Sequence, residues 1–251
     1  MRPKKAGART ARKVRAVLIG VVAAAVVLSG CGEVEHLPPI PEGIPPGVGT
    51  PVPPIDLDAP GRSAVQLREW ADGQADALGI PVVALEAYGY AAAVLARSRP
   101  GCGIGWTTVA GIARVESKHG SHGGSRLGSD GRVSPPIRGI PLDGSPGVAR
   151  IVDERETARA GEPVYVRAEG PFQFLPETWQ RWGVDANGDG VADPDNIDDA
   201  ALTAARYLCA SGGDLTTPEG WQRALLTYNQ STPYLNKVRL HAAAYSVGRK
   251  V

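Results

Sequence analysis

The sequence predicts a mainly helical domain that carries a small β-ribbon and an irregular insert. Three observations predict it. From residue 63 onward, segments such as "SAVQLREWADGQADALG" place apolar residues near three- and four-residue spacing, the period of a helix with one buried face. Residues 119–168 break that pattern with Gly, Pro and Ser, and a structureless loop of such length is unusual in a compact domain. Within it, "GVARIVDE" and "EPVYVRA" are short enough, and rich enough in Val, to pair as strands.

The elements follow in chain order. Residues 2–15 hold seven Lys/Arg and no acid, and residues 16–28, "AVLIGVVAAAVVL", are continuously apolar. A basic start, a run of about 13 apolar residues and then small residues read as an export signal. A membrane-spanning helix needs about 20. "LSGC", Leu28 to Cys31, resembles the bacterial lipobox. That resemblance implies a lipid thioether on Cys31 and removal of residues 1–30 as a lipoprotein signal peptide. A plain secreted protein with an incidental Cys31 is the alternative. Without the signal, 20 Lys/Arg face 26 Asp/Glu, a net charge of −6. No basic footprint for nucleic acid remains. Residues 31–62 are dominated by Pro and Gly and read as a semi-extended tether.

A first helix is expected over "SAVQLREWADGQADALG". A second covers "PVVALEAYGYAAAVLAR", with Pro81 suited to an opening turn. A third covers about 104–117. After the insert come "PETWQRWG", "DDAALTAARYLCAS", "TPEGWQRALLTYN" with Thr217 as a reasonable start, and "PYLNKVRLHAAAYS". With Cys31 assigned to lipid, Cys102 and Cys209 form an even pair in an exported chain, which suggests a disulfide. Two free buried thiols are the alternative.

Four stretches carry chemistry. In "ARVESKHG", Glu116 ends an apolar helix, although a helix C-terminus favours cations over acids. In "AEGPFQFLPETW", the chain's two Phe residues, Phe172 and Phe174, flank Gln173 after the Gly170–Pro171 turn. Two rings around an amide suit a sugar-binding cleft, and equally suit a core plug before a helix. "LTYNQSTPYL" puts Tyr228–Asn229 at a helix end. "VDANGDGVADPDNIDDA" follows the calcium-loop spacing, with Asp185, Asn187 and Asp189 alternating, Gly190 turning and the Val191 carbonyl available. Position twelve is Asn196 rather than Glu, with Asp193, Asp198 and Asp199 nearby. An acidic turn with a helix cap is the plainer reading. His119 and His122 lack further zinc ligands.

Taken in order, the Glu116–Ser117 pair before glycines, "GPFQFLPETW", the calcium-like loop and "YN" resemble the lytic murein transglycosylases, specifically the membrane-bound B type, over roughly residues 63–246. The tether and Cys pair look like its actinobacterial lipoprotein members. The resemblance implies a lysozyme-like fold and a catalytic domain over 63–246 that cleaves the β-1,4 bond between N-acetylmuramic acid and N-acetylglucosamine in peptidoglycan. It implies that Glu116 is the single catalytic acid. It places Ser117, Gly170, Phe172, Gln173, Phe174, Tyr228 and Asn229 at the substrate. It implies structural calcium held by Asp185, Asn187, Asp189, Val191 and Asp199, and no organic cofactor. A chain anchored through Cys31 would sit on the outer face of the bacterial cell membrane, facing the wall.

One carboxylate suffices if the substrate supplies the second group. A protonated Glu116 would donate to the leaving oxygen, and as carboxylate would take the proton of the muramoyl 6-hydroxyl as it attacks C1, giving a 1,6-anhydro end. The rivals are a muramidase-type hydrolase of the same fold and a non-catalytic peptidoglycan-binding lipoprotein.

Overall fold

A computed structural model of the protein describes residues 37–251. Eight helices and one two-stranded ribbon make up this part. A 3₁₀ turn, Ser63–Leu67, leads into α1 (Arg68–Leu78), followed by α2 (Val82–Ser98), α3 (Trp106–Ser117), α4 (Glu154–Ala160), α5 (Pro176–Trp182), α6 (Ile197–Gly212), α7 (Pro218–Tyr228) and α8 (Thr232–Ser246). The seven helices expected from periodicity are all present. Their ends follow local chemistry: Gly79 closes α1 in the left-handed conformation, Thr217 accepts the Gly220 N–H at the start of α7, and Ser231 does the same for Tyr234 on α8.

The core lies among α2, α3, α6 and α8. Helix α2 is central and buried from Ala84 to Ala92. Helix α6 is buried along most of its length, including Ala200, Ala201, Ala204, Ala205 and Leu208. Small residues let the axes come close. At Gly111 on α3, a Cβ would stand 2.9 Å from the Val238 carbonyl of α8, so any side chain there would push the two helices apart. Cys102 and Cys209 form a disulfide, S–S 1.96 Å, which joins the loop before α3 to α6.

The insert differs in detail from the expectation. Its ribbon is β1 (Arg126–Leu127) antiparallel to β2 (Val133–Ser134), with Leu127 opposite Val133. The two stretches expected as strands meet at a single bridge, Val152 to Tyr165, and α4 fills the space between them. None of the residues of α4 is buried, so "ERETARA" shows no apolar stripe to betray it. The detectable signal was Asp153, whose side chain caps Glu156 N–H, with an acid at that third position. The insert is fastened to the start of α6: Val133 N–H bonds the Asp195 carbonyl, Ile197 N–H bonds that of Gly131, and Arg138 grips both Asp195 oxygens at 2.7 and 2.8 Å.

The expected tether does not stand free within the described residues. From Leu37 on it lies along the helices, with Ile44, Val52, Ile55 and Leu57 packed on the core. An extended, proline-rich backbone leaves its carbonyls unpaired, and side chains of the body take them. Trp106 Nε1 donates to Thr50 O at 3.0 Å, Thr107 Oγ1 to Gly47 O at 2.7 Å and Arg249 to Pro38 O at 3.0 Å. Arg62 ends the strap inside the protein. Its guanidinium meets Asp198 at 2.8 and 2.9 Å and also bonds Glu86, and both carboxylates are 0% exposed. Arg68 Nε stands 2.7 Å from the other Glu86 oxygen, close in charge but out of hydrogen-bond alignment. The signal peptide and Cys31 lie outside the described residues. Among those described, no single helix is long and apolar enough to cross a membrane.

Candidate active site

Glu116 occupies the last turn of α3, after the buried run from Trp106 to Ala113. The chain then leaves the helix through two successive left-handed residues, Lys118 (φ 53°) and His119 (φ 59°). A non-glycine residue in that region costs roughly 1–3 kcal/mol and persists only where its surroundings hold it. Here the hold is visible. His119 is 1% exposed, with Nδ1 3.0 Å from the Tyr88 hydroxyl and Nε2 3.1 Å from that of Tyr245. Burial drives its pKa down to about 3, so the ring is neutral and links two tyrosines. Both nitrogens are taken, which removes His119 as a zinc ligand.

The Glu116 carboxyl is partly buried. Desolvation raises its pKa to about 7, opposed by the Tyr234 phenol, which favours the ionised form. It forms no ion pair among the described residues. Tyr234 was not identified from sequence. Its ring stacks on Tyr228 at 6.4 Å, and its buried hydroxyl has no partner at full hydrogen-bond distance. The available signal was its place six residues after Tyr228 near the start of α8. Tyr234→Phe removes the phenol that favours the carboxylate, so the Glu116 pKa is expected to rise above 7. A carboxyl-carbon NMR titration checks this, and an unchanged or lowered value would refute the role of Tyr234.

The turn at residues 170–174 packs against this helix end. Ser117 Oγ donates to Pro171 O at 2.7 Å and accepts from Gly120 N–H at 2.8 Å, and Tyr228 Oη donates to Phe172 O at 2.7 Å. Gly170 (φ 71°) has no alternative, since a Cβ there would fall 1.8 Å from the Pro194 carbonyl. These contacts change the expected roles. Ser117 is 1% exposed with its hydroxyl fully engaged, and Phe172 and Phe174 are 0% and 3% exposed, packed against Tyr88, Trp179 and Tyr228. Gly170 is buried too. In this structure these four build the wall behind the site, and the rings have no free face for a sugar. The core-plug reading describes the two Phe residues. Gln173 (φ 50°) and Tyr228 remain partly exposed, and Asn229 is exposed.

Larger cavities lie elsewhere, about 610 Å³ between the strap and α1 and about 520 Å³ beside α4 and α5, but neither holds a carboxyl with this environment. Glu116 lines one of about 370 Å³.

In the acidic loop, Asp185 accepts from Gly188 and Gly190 N–H, Asp189 from Val191 N–H, and Asp199 from Ala186, Asn187 and Asp193 N–H. Among the described residues, no three His, Cys, Asp or Glu side chains converge as a ready metal cage. Among the described residues Asp199 is nonetheless buried with no cationic side chain paired to it, and desolvation lifts its pKa to about 6.

Residues 165–224 match the family described as Transglycosylase SLT domain. No curated protein and no solved structure matches the chain. The matched span runs from the end of the insert through α5, the acidic loop and α6 into α7, and contains neither Glu116 nor Tyr228–Asn229. With the mainly helical fold, the match supports a lysozyme-like domain of the lytic transglycosylase kind, acting on peptidoglycan and therefore outside the cytoplasm.

Proposed function

We propose that the protein is a lytic transglycosylase of the membrane-bound B type that cleaves the bond between N-acetylmuramic acid and N-acetylglucosamine and leaves a 1,6-anhydro-muramoyl end. The observation that carries this is the Glu116 carboxyl, set at a core edge with no ion pair and a pKa near 7. Such a group can act as an acid and then as a base at neutral pH. Glu116 gives its proton to the bridging oxygen as the C1–O bond breaks, and the N-acetyl group stabilises the anomeric carbon. The muramoyl O6 then attacks C1 and its proton passes to Glu116, which restores the acid. No water is consumed. Gln173, Tyr228 and Asn229 hold the sugar from the open side.

Digestion of purified peptidoglycan tests the reading. Muropeptides lighter by one water and lacking a reducing end are expected. Reducing ends would indicate the hydrolase, and no product at all the binding lipoprotein.

Calcium is the proposed structural ion. The donor set of Asp185, Asn187, Asp189, the Val191 carbonyl and Asp199 is entirely oxygen, which fits a hard cation, and buried Asp199, hydrogen-bonded to backbone N–H groups but paired with no cationic side chain among the described residues, fits it as well. The ion would neutralise the turn and tie it to α6. Binding to the folded state alone raises stability. Chelation is therefore expected to lower the melting temperature, with calcium restoring it and magnesium doing so poorly. An unchanged curve in chelator, with no metal by elemental analysis, would leave only a hydrogen-bonded acidic turn. Anchoring through lipid on Cys31 is part of the same proposal. Intact mass of membrane-extracted protein tests it.

A further inference from the structure

The cavity that Glu116 lines is otherwise basic: Arg114, Lys118, His122, Lys237 and His241 surround it. Arg114 lies in the last turn of α3 and Lys118 directly follows that helix, while Lys237 and His241 are four apart on α8, which packs against α3. Lys237 and His241 share one face of α8, where burial lowers the His241 pKa and favours its neutral ring, so Lys237 carries the positive charge of that face. The negative end of the α3 dipole favours the positive charges of Arg114 and Lys118. Among the described residues, Arg114, Lys118 and Lys237 pair with no carboxylate. His241 Nδ1 is buried without a partner. From residue 31 on the chain is net acidic, with 20 Lys/Arg against 26 Asp/Glu, so this concentration of unpaired cations is local.

We propose that this cavity binds carboxylates of the peptide stem on the muramoyl residue being cleaved, and so selects peptide-bearing glycan strands. The inference rests on the peptidoglycan reading above. In that polymer the peptide hangs from the lactyl ether on O3 of the same sugar whose C1 reacts. Its carboxylates are therefore the negative charges nearest the cleavage point, and a pocket sharing Glu116 is within their reach. Sugar hydroxyls alone would not call for three unpaired cations.

The test uses the full protein and strands from one source in three forms: peptide-bearing, stripped of peptide, and peptide-bearing with amidated carboxyls. The wild-type protein is expected to favour peptide-bearing strands by about tenfold in kcat/KM, the scale of one charge-assisted contact, and to lose that preference on amidation. Arg114→Gln and Lys237→Gln are expected to raise KM about tenfold on peptide-bearing strands with kcat little changed, collapsing the difference between substrates. Equal turnover of all three forms by wild type would overturn the proposal. So would a loss of the same factor on every substrate in the variants, which marks a structural role. Inhibition by an anionic phosphodiester polymer without any preference for peptide would assign the cavity to another anion and also overturn it. If no strand is cleaved, the activity reading fails separately. Calorimetry with an isolated stem peptide still decides the pocket, with binding about tenfold weaker in Lys237→Gln expected and no binding to wild type refuting it.

Discussion

Glu116→Gln is expected to bind glycan strands and release product about 10²–10⁴-fold more slowly than the parent, the usual contribution of general acid–base catalysis. The amide keeps the size and the hydrogen-bonding reach of the side chain but can neither give nor take the proton. The same variant has a stability signature. The Glu116 pKa is raised to about 7 in the folded protein from an ordinary value of 4.5. Below pH 4.5 the group is protonated in both states and contributes nothing. As pH rises toward 7 the unfolded chain ionises first, so the folded state loses stability across that window and bears the full cost above it. Glu116→Gln removes the cost, so its melting temperature should exceed the parent's at pH 8 and match it near pH 4. Parent activity should fall as pH rises through about 7, because the donating form is lost. Full turnover by the variant, or a melting temperature below the parent's at pH 8, would refute the assignment.

Arg62→Ala is expected to be the most destabilising single change outside the site. It leaves Glu86 and Asp198, both fully buried, without the guanidinium that bonds them. Breaking one side of a buried ion pair costs about 3–5 kcal/mol, a large part of the 5–15 kcal/mol that typically holds a domain. A fall in melting temperature of order 10 °C is expected. Arg62→Lys should recover only part of it, because an ammonium cannot bond both carboxylates in the same fork. Denaturant unfolding of the three proteins checks this. A change below about 1 kcal/mol in Arg62→Ala would mean that water reaches the cluster.

Helices were legible where periodicity, caps and burial agreed. Helix α3 ends at Ser117, and α7 begins after the Thr217 cap, as expected. Helix α4 was not legible because it buries nothing, so its sequence bears no imprint of the core. The ribbon was placed in the wrong stretch. Arg126–Leu127 and Val133–Ser134 are too short to show alternation, and their pairing is set by contacts to the start of α6 some 60 residues away. At the candidate site, Glu116 stood out as an acid at the wrong end of a helix. Tyr234, His119 and the basic cavity did not, because each depends on which helices meet.

By itself the sequence determined the helical class, the chain order of the elements, the unusual placement of Glu116, and a Cys pair able to close. These are local properties: periodicity, capping and side-chain chemistry act within a few residues. Only the tertiary structure decided that residues 37–62 lie on the body, because apolar residues among prolines find their partners across the chain. It decided that Phe172, Phe174 and Ser117 form the wall of the site, and that α3, the turn after it and α8 bring five cationic or imidazole groups to one cavity. Burial and charge environment arise from the meeting of distant segments, and those quantities, more than residue type, fix what a carboxyl or a ring can do.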